Sequence, residues 1–161
     1  MKNDTIQEVF DLLITRKMTF ASAESCTGGN IAHQITLIAG SSEIYIGTVV
    51  TYATPMKTKL LGVPVETIEQ YSVVSREVVE DMAKSVRLLM EADFGLATTG
   101  VAGPSGGTAH NPVGTVWIGL AAPDGVTSQC CHFDGNRESV INQATEAAYL
   151  MLKNWFSKQS I

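Results

Sequence analysis

A seven-residue turn, Ala-Glu-Ser-Cys-Thr-Gly-Gly at 23–29, constrains the fold of this chain more than any other segment. Small, strand-like residues at 18–23 precede the turn, and apolar residues at near-helical spacing follow it from Ile31 to Leu37. Two consecutive glycines between a strand and a helix permit a tight change of direction. The segment therefore predicts a strand, a glycine turn and a helix, as in an α/β domain.

The same turn carries groups that could perform chemistry. It places two nucleophiles, the Ser25 hydroxyl and the Cys26 thiol, beside Thr27, Gly28 and Gly29. Glycine N–H groups at a helix N-terminus point freely at an anion, and the helix dipole adds positive potential there. This combination suits acyl or phosphoryl chemistry, or the recognition of a phosphorylated ligand. A tight turn whose small residues serve only packing is the alternative at this point.

Hydrophobic periodicity predicts helices that alternate with strands, then three successive strands and a closing helix. Asp4 and Gln7 are interpreted as the capping pair of the first helix, and Ser75 as the N-cap of a later one. The predicted helices are 4–16, the segment after Gly29, 56–62, 64–71, the segment after Ser75, and the segment from about Asn136. The predicted strands are 18–23, 43–52, 94–101, 114–121 and 126–133. The predicted inner face of the last helix consists of Val140, Ile141, Ala144, Ala148, Met151, Leu152 and Trp155.

This order of elements predicts an α/β fold. Helices are expected on both faces of a mixed sheet, which makes a three-layer α/β/α sandwich. The chain has 161 residues and no internal repeat, low-complexity tract or linker. We therefore expect one domain over residues 1–161, large enough to bury a core.

Composition excludes several classes of partner. The net charge of −5 and the lack of a basic run argue against broad binding of nucleic acid or anionic membranes. No apolar stretch reaches membrane-spanning length, and the segment 1–4 lacks the apolar core of a signal peptide. The three cysteines are an odd number, and Cys130 and Cys131 are neighbours that would point to opposite faces of a strand. A reducing, cytoplasmic location is the simplest expectation.

A hydroxyl nucleophile needs a base, and the sequence offers histidines or a lysine. His33, His110 and His132 sit in no pattern that forms a triad. A buried lysine can lose its proton near neutral pH, and serine–lysine pairs are an alternative to the triad. Lys57 follows the end of the long strand, where α/β sheets gather their ligand sites. The spacing of His and Cys matches no common zinc site and no carboxylates cluster, so no metal is predicted.

A second glycine-rich segment, 99–108, follows the strand at 94–101. Its glycines permit close approach of the backbone to a ligand. It lacks the lysine of an NTPase phosphate loop, and no helix carries it forward as in a dinucleotide fingerprint. Arg137 opens the final helix, where its guanidinium could clamp a phosphate or lie in solvent.

Six motifs in order carry a resemblance to a known family. They are AESCTGG at 23–29, AGSSEIYIGTVVTY at 39–52, LLGVP at 60–64, VVS at 73–75, TTGVAGPSGGT at 98–108 and PVGTVWIGL at 112–120. With them the whole chain resembles the CinA C-terminal domain family, whose stand-alone form is similar to nicotinamide-nucleotide amidase. The resemblance implies hydrolysis of the carboxamide of nicotinamide mononucleotide to nicotinate mononucleotide and ammonia. It implies a small-molecule substrate, no metal or organic cofactor, and self-association as a homo-oligomer.

The resemblance also implies roles for individual residues. Ser25 looks like the nucleophile, Lys57 like its base and Tyr52 like a proton-relaying or orienting partner, which leaves Cys26 a packing or supporting role. Arg137 is expected to contact the substrate phosphate. Backbone donors for an oxyanion or for the phosphate are expected from Thr27, Gly28, Gly29, Gly100, Ala102, Gly103, Gly106 and Gly107.

One segment departs from the family pattern. Relatives usually have Ser-Asn-Glu-Ala between the tyrosine and the lysine, whereas this chain has Ala-Thr-Pro-Met at 53–56. The five-residue step from Tyr52 to Lys57 is kept, but Pro55 restricts the backbone of the segment. The departure implies lower activity or an altered substrate, and it leaves open a non-catalytic paralogue that binds a nucleotide or a partner.

Overall fold

The computed structural model describes residues 3–159 of the chain. Met1 and Lys2, which belong to the N-terminal segment considered above, and residues 160–161 lie outside the described part. The helices are α1 Asp4–Arg16, α2 Asn30–Thr36, α3 Thr54–Leu61, α4 Val65–Tyr71, α5 Arg76–Leu89 and α6 Arg137–Gln159, with a short 3-10 turn at Ser41–Glu43. The strands are β1 Phe20–Glu24, β2 Tyr45–Val50, β3 Phe94–Gly100, β4 Thr115–Ala122 and β5 Gly125–His132. None of the helices within residues 3–159 has the length and apolar character needed to cross a membrane.

The strands within residues 3–159 form one mixed sheet in the order β2-β1-β3-β4-β5. β1 lies between β2 and β3 and is parallel to both, whereas β4 and β5 continue the sheet in antiparallel hairpins. The carboxyl ends of β1, β2 and β3 therefore meet at one edge of the sheet. The glycine turn, the segment before α3 and the glycine-rich loop all leave from that edge.

Helices cover both faces of the sheet, as the sequence predicts. α1, α2 and α6 pack on one face around a core that includes Leu13, Phe20 and Phe94. α5 packs on the other face with α3 and α4 beside it, and Val79 and Met82 are fully buried there. The predicted three-layer α/β/α sandwich with a mixed sheet is confirmed.

Two predicted details of the helices are wrong. The N-cap of α1 is Asn3, whose side chain accepts the N–H of Thr5, and Asp4 is the first helical residue. Asn3 has an extended backbone, which suits a capping residue better than the helical Asp4. On α6 the buried face is rotated from the predicted one: Tyr149 and Phe156 are buried, and Ile141, Met151 and Trp155 are only partly buried. The Ser75 cap of α5 is confirmed, because its hydroxyl accepts the N–H of Val78.

Two strand glycines allow α5 to approach the sheet closely. A Cβ added at Gly95 in β3 would overlap the Ala83 carbonyl of α5, and one added at Gly119 in β4 would lie 2.9 Å from the Val79 carbonyl. Neither position can hold a side chain unless the helix moves away from the sheet.

We expect Gly95→Ala to lower the free energy of unfolding by about 1–3 kcal/mol, because overpacking forces the helix and sheet apart. Urea unfolding monitored by circular dichroism measures this loss. Leu88→Ala is the matched control: Leu88 is 73% exposed on α5, so its truncation should change stability by less than about 0.5 kcal/mol. Equal free energies of unfolding for Gly95→Ala and the native chain would contradict the close approach of α5 to the sheet at Gly95.

Candidate active site

The carboxyl end of β1 holds a buried carboxylate that organises the glycine turn. Glu24 is fully buried, and its Oε1 accepts the Thr27 hydroxyl at 2.7 Å and the Ile31 N–H at 2.9 Å. The Gly29 N–H at 3.2 Å and the Ala32 N–H at 3.1 Å complete a carboxylate cap on α2. A negative charge is stabilised at a helix N-terminus. The protein's own Glu24 therefore occupies the anion site that the sequence assigns to a ligand.

The backbone N–H groups of Gly28 and Gly29, predicted as donors to a ligand, are engaged within the turn, whereas the backbone donor role of Thr27 stays a prediction. The Gly28 N–H donates to the Ser25 carbonyl at 3.0 Å, and the Gly29 N–H donates to Glu24. The Thr27 hydroxyl donates to Glu24 and also lies 2.9 Å from the Thr98 hydroxyl. These groups hold the turn together and do not line the cavity described below. The position of Glu24, an acidic residue at the end of a strand of small residues and directly before the turn, was the sequence signal for this arrangement.

Ser25 and Lys57 meet at the base of this turn. Lys57 Nζ lies 2.9 Å from Ser25 Oγ and donates to the Thr51 carbonyl at 2.6 Å. The two side chains are 8% and 1% exposed. Lys57 lies on α3, which begins at Thr54, two residues before the predicted start, and ends at Leu61. Gly62 follows as a C-cap in the left-handed conformation. The predicted proximity of a lysine to the nucleophile turn is thus observed.

Burial affects the two ionisable groups beside Ser25 in opposite directions. Burial of the ammonium lowers the pKa of Lys57 from 10.5 to about 8, and the nearby Cys26 opposes this only in part. Burial of the thiol raises the pKa of Cys26 to about 12, against the weaker influence of a hydrogen bond with Thr98. At neutral pH Cys26 is therefore a neutral thiol, while a useful fraction of Lys57 is an uncharged amine. Ser25, not Cys26, has the base within hydrogen-bond distance.

A cavity of about 280 Å³ opens onto this pair. Four of the predicted loop residues line it, namely Gly100, Ala102, Gly103 and Gly106. Gly107 does not; it packs against the backbone of Val113, where a Cβ would lie 2.8 Å from the nitrogen. Within residues 3–159 the N–H groups of Gly103 and Gly106 have no protein acceptor, so they are available to a ligand.

Tyr52 and Arg137 form the rim of the cavity. One guanidinium nitrogen of Arg137 donates to the Tyr52 hydroxyl at 2.8 Å, and the other donates to the Gly103 carbonyl at 2.7 Å. Tyr52 is 58% exposed. Its hydroxyl makes no hydrogen bond with Ser25 or Lys57 in the described part of the chain. The structure thus joins Tyr52 to Arg137 and brings both to the cavity, but not to the nucleophile.

None of the three histidines lines the cavity. His132 on β5 contacts Thr115 of β4 and Cys130 of its own strand, while His33 and His110 are absent from the cavity lining. Among residues 3–159, no group of three or more His, Cys, Asp or Glu side chains is placed to hold a metal ion.

The fold and the site define a class: an α/β protein with a buried serine–lysine pair at the carboxyl edge of a mixed sheet. The CinA C-terminal domain model matches residues 2–156, and the chain belongs to this family. A CinA-like protein of Flavobacterium psychrophilum is 45% identical in an alignment of 160 residues, and the match covers 96% of this chain and 38% of that protein. A CinA-like protein of Desulfosudis oleivorans is 54% identical over 131 residues, 81% of this chain and 32% of the relative. The chain therefore spans about a third of the length of these relatives.

Solved structures of single-domain size share the fold. The competence damage-inducible protein A from Klebsiella pneumoniae has a TM-score of 0.92 and 33% identity, and the match covers 96% of each chain. A competence/damage inducible protein from Agrobacterium tumefaciens has a TM-score of 0.90, 33% identity and the same coverage. The α/β arrangement described above is thus that of CinA-family structures.

The buried state of Lys57 predicts a pH-dependent difference in stability. Because its pKa is about 8 in the folded protein and near 10.5 when exposed, the unfolded chain binds more protons between these values. The contribution of Lys57 to the free energy of unfolding therefore rises as the pH increases from 8 to 10.5. Relative to Lys57→Met, the native chain should gain stability over this interval, as measured by urea unfolding at pH 7, 8.5 and 10.

Lys59→Met provides the control for that comparison. Lys59 is exposed on the same helix, so its substitution should leave the difference from the native chain constant across the three pH values. If the difference in free energy of unfolding between Lys57→Met and the native chain were also constant across these pH values, it would contradict the lowered pKa of Lys57.

Proposed function

We propose that this protein hydrolyses the carboxamide of nicotinamide mononucleotide to nicotinate mononucleotide and ammonia, with Ser25 as nucleophile and Lys57 as base. The observation that carries the proposal is the 2.9 Å contact between Lys57 Nζ and Ser25 Oγ at the base of a polar cavity. Membership of the CinA C-terminal domain family supports it. A lysine whose pKa is about 8 suits a base that must work near neutral pH.

In the first half-reaction, Ser25 Oγ attacks the carboxamide carbon while the neutral Lys57 amine accepts the hydroxyl proton. The Thr51 carbonyl accepts one Nζ hydrogen and holds the amine beside Ser25. The resulting ammonium then protonates the departing nitrogen. The C–N bond breaks, ammonia leaves, and an ester links Ser25 to the nicotinoyl group.

In the second half-reaction, water attacks the ester carbon and transfers a proton to Lys57. The Ser25 Oγ–C bond breaks, and Lys57 returns the proton to Ser25 Oγ. Nicotinate mononucleotide leaves and the pair is restored. No redox partner is needed, because every bond change is a transfer of an acyl group or a proton.

The cavity supplies groups that match the rest of this substrate. The unpaired N–H groups of Gly103 and Gly106 are candidate donors to the developing oxyanion or to the phosphate. Arg137 at the rim is the candidate phosphate contact, since a guanidinium can bind two phosphate oxygens at once. Tyr52, hydrogen-bonded to Arg137, would orient that guanidinium.

A nucleotide- or partner-binding paralogue without catalysis is the competing proposal, and the Ala-Thr-Pro-Met segment at 53–56 favours it. In the structure this segment forms the start of α3, where the N-cap Ala53 makes no side-chain capping bond and Thr54 lines the cavity. Lys57 nevertheless reaches Ser25. An ammonia assay with nicotinamide mononucleotide separates the two proposals, because only the amidase releases ammonia above the Lys57→Met background.

Ser25→Ala should lower ammonia release at least about 10³-fold, because loss of the nucleophile removes the acyl-enzyme route. Cys26→Ala should retain activity within about threefold, since its neutral thiol takes no part in the chemistry. Steady-state ammonia assays with both variants measure this contrast. The reverse pattern would assign the nucleophile to Cys26.

Arg137→Ala should lower kcat/KM for nicotinamide mononucleotide about 10- to 100-fold, as expected for loss of a charged hydrogen bond. Nicotinamide riboside lacks the phosphate, so the same variant should change its kcat/KM by less than about threefold. Comparing the two substrates separates phosphate binding from the support that Arg137 gives to Gly103. Equal losses of kcat/KM with both substrates would contradict the phosphate contact. They would leave Arg137 only the structural role of holding the Gly103 carbonyl.

A further inference from the structure

The side chain of Glu24 is fully buried and forms no ion pair within residues 3–159. Besides the four donors of the turn and α2, its Oε2 accepts the Thr48 hydroxyl at 3.2 Å and the Ser22 hydroxyl at 3.4 Å. Such a complete set of donors fixes a carboxylate in one position. The side chain joins three elements: β1, the turn with α2, and β2.

The backbone of Glu24 is tied to the support of Lys57. Its carbonyl accepts the Thr51 N–H at 2.9 Å, and the Thr51 carbonyl in turn accepts from Lys57 Nζ at 2.6 Å. Since Ser25 is the next residue in the chain, these bonds close a ring through Glu24, Thr51, Lys57 and Ser25. The ring fixes the separation of the nucleophile from its base.

Glu24 itself does not reach a reacting atom. Its side chain is absent from the cavity lining, and both of its oxygens are engaged by donors. It makes no hydrogen bond to Ser25 Oγ or to Lys57 Nζ in the described part of the chain. Any effect on the reaction must therefore pass through the geometry of the turn.

We propose that Glu24 is the positioning residue of the site: by capping α2 and holding Thr27, it sets Ser25 Oγ within reach of Lys57 Nζ. The proposal rests on the serine–lysine pair of the proposed function. A displacement of about 1 Å at a reacting group can cost on the order of 10²-fold in rate.

Glu24→Gln is the direct test, because it keeps the shape but turns one acceptor oxygen into a donor that faces N–H groups. Thr27→Val is a milder second variant, which removes one donor and leaves the carboxylate. Asp93→Asn is the matched control. Asp93 accepts the N–H and the hydroxyl of Thr19 at the opposite end of β1, so its loss perturbs the same strand far from Ser25.

The measurement is the rate at which a fluorophosphonate probe labels the protein, with Ser25→Ala as the blank and ammonia release followed in parallel. In labelling, the Ser25 Oγ–P bond forms, the P–F bond breaks and fluoride leaves, while Lys57 accepts the proton. We expect labelling and kcat to fall 10- to 100-fold in Glu24→Gln and 3- to 10-fold in Thr27→Val. KM and the pH dependence of the remaining activity should be unchanged, and Asp93→Asn should label at the native rate.

Native labelling rates in a folded Glu24→Gln would overturn the positioning role, as would an equal loss in Asp93→Asn. If Glu24→Gln fails to fold, native labelling of Thr27→Val has the same meaning. A native protein that is labelled but releases no ammonia would refute the proposed amidase and leave the positioning test intact. A native protein that is not labelled at Ser25 would overturn both proposals.

Discussion

The site depends on the burial of one lysine beside one serine. Transferring an ammonium from water into a protein interior is unfavourable, so a buried lysine is usually paired with a carboxylate. Here Nζ has only the Ser25 hydroxyl and the Thr51 carbonyl as hydrogen-bond partners within residues 3–159. A carboxylate partner would hold the proton on the lysine and raise its pKa. Without such a carboxylate, desolvation has the largest effect on the pKa of Lys57. Desolvation favours the neutral amine that a base requires.

The buried carboxylate of Glu24 makes no hydrogen bond with Lys57 in the described part of the chain. Glu24 immediately precedes Ser25, yet its charge is stabilised by the N-terminus of α2 and by hydroxyl groups rather than by Lys57. The same arrangement fills the anion site of α2. Under the proposed function, the candidate contacts for a phosphate are therefore Arg137 and the N–H groups of Gly103 and Gly106 at the cavity.

Local patterns in the sequence were sufficient to predict most of the fold. The apolar stripe after Ser75 and its cap identified α5, and the alternation of elements predicted the mixed sheet with helices on both faces. The inner face of α6 was predicted only in part, because Tyr149 and Phe156 were not among its predicted residues and both are buried. The Tyr149 hydroxyl is satisfied by the Ile31 carbonyl, a contact 118 residues away that periodicity cannot show. Burial of an aromatic residue there depends on tertiary structure.

The candidate site was predictable only in part for the same reason. The order of the motifs pointed to Ser25 and Lys57, but their separation depends on how β1 and the segment after β2 lie together in the sheet. The N–H groups of Gly28 and Gly29 are taken up within the protein, since the first donates to the Ser25 carbonyl and the second to Glu24. Gly107 likewise serves the packing of the loop against Val113. A glycine-rich motif predicts that another group lies close to the backbone, but it does not distinguish a ligand from another part of the protein.

The pH dependence of kcat/KM for ammonia release from nicotinamide mononucleotide tests the central claim most directly. Between pH 7 and 10 we expect a rise to a plateau with one apparent pKa of about 8, because Lys57 must be neutral to accept the Ser25 proton. Lys57→Met should abolish the rise along with the activity. A rate that is constant or falls over this interval would contradict Lys57 as the base of Ser25.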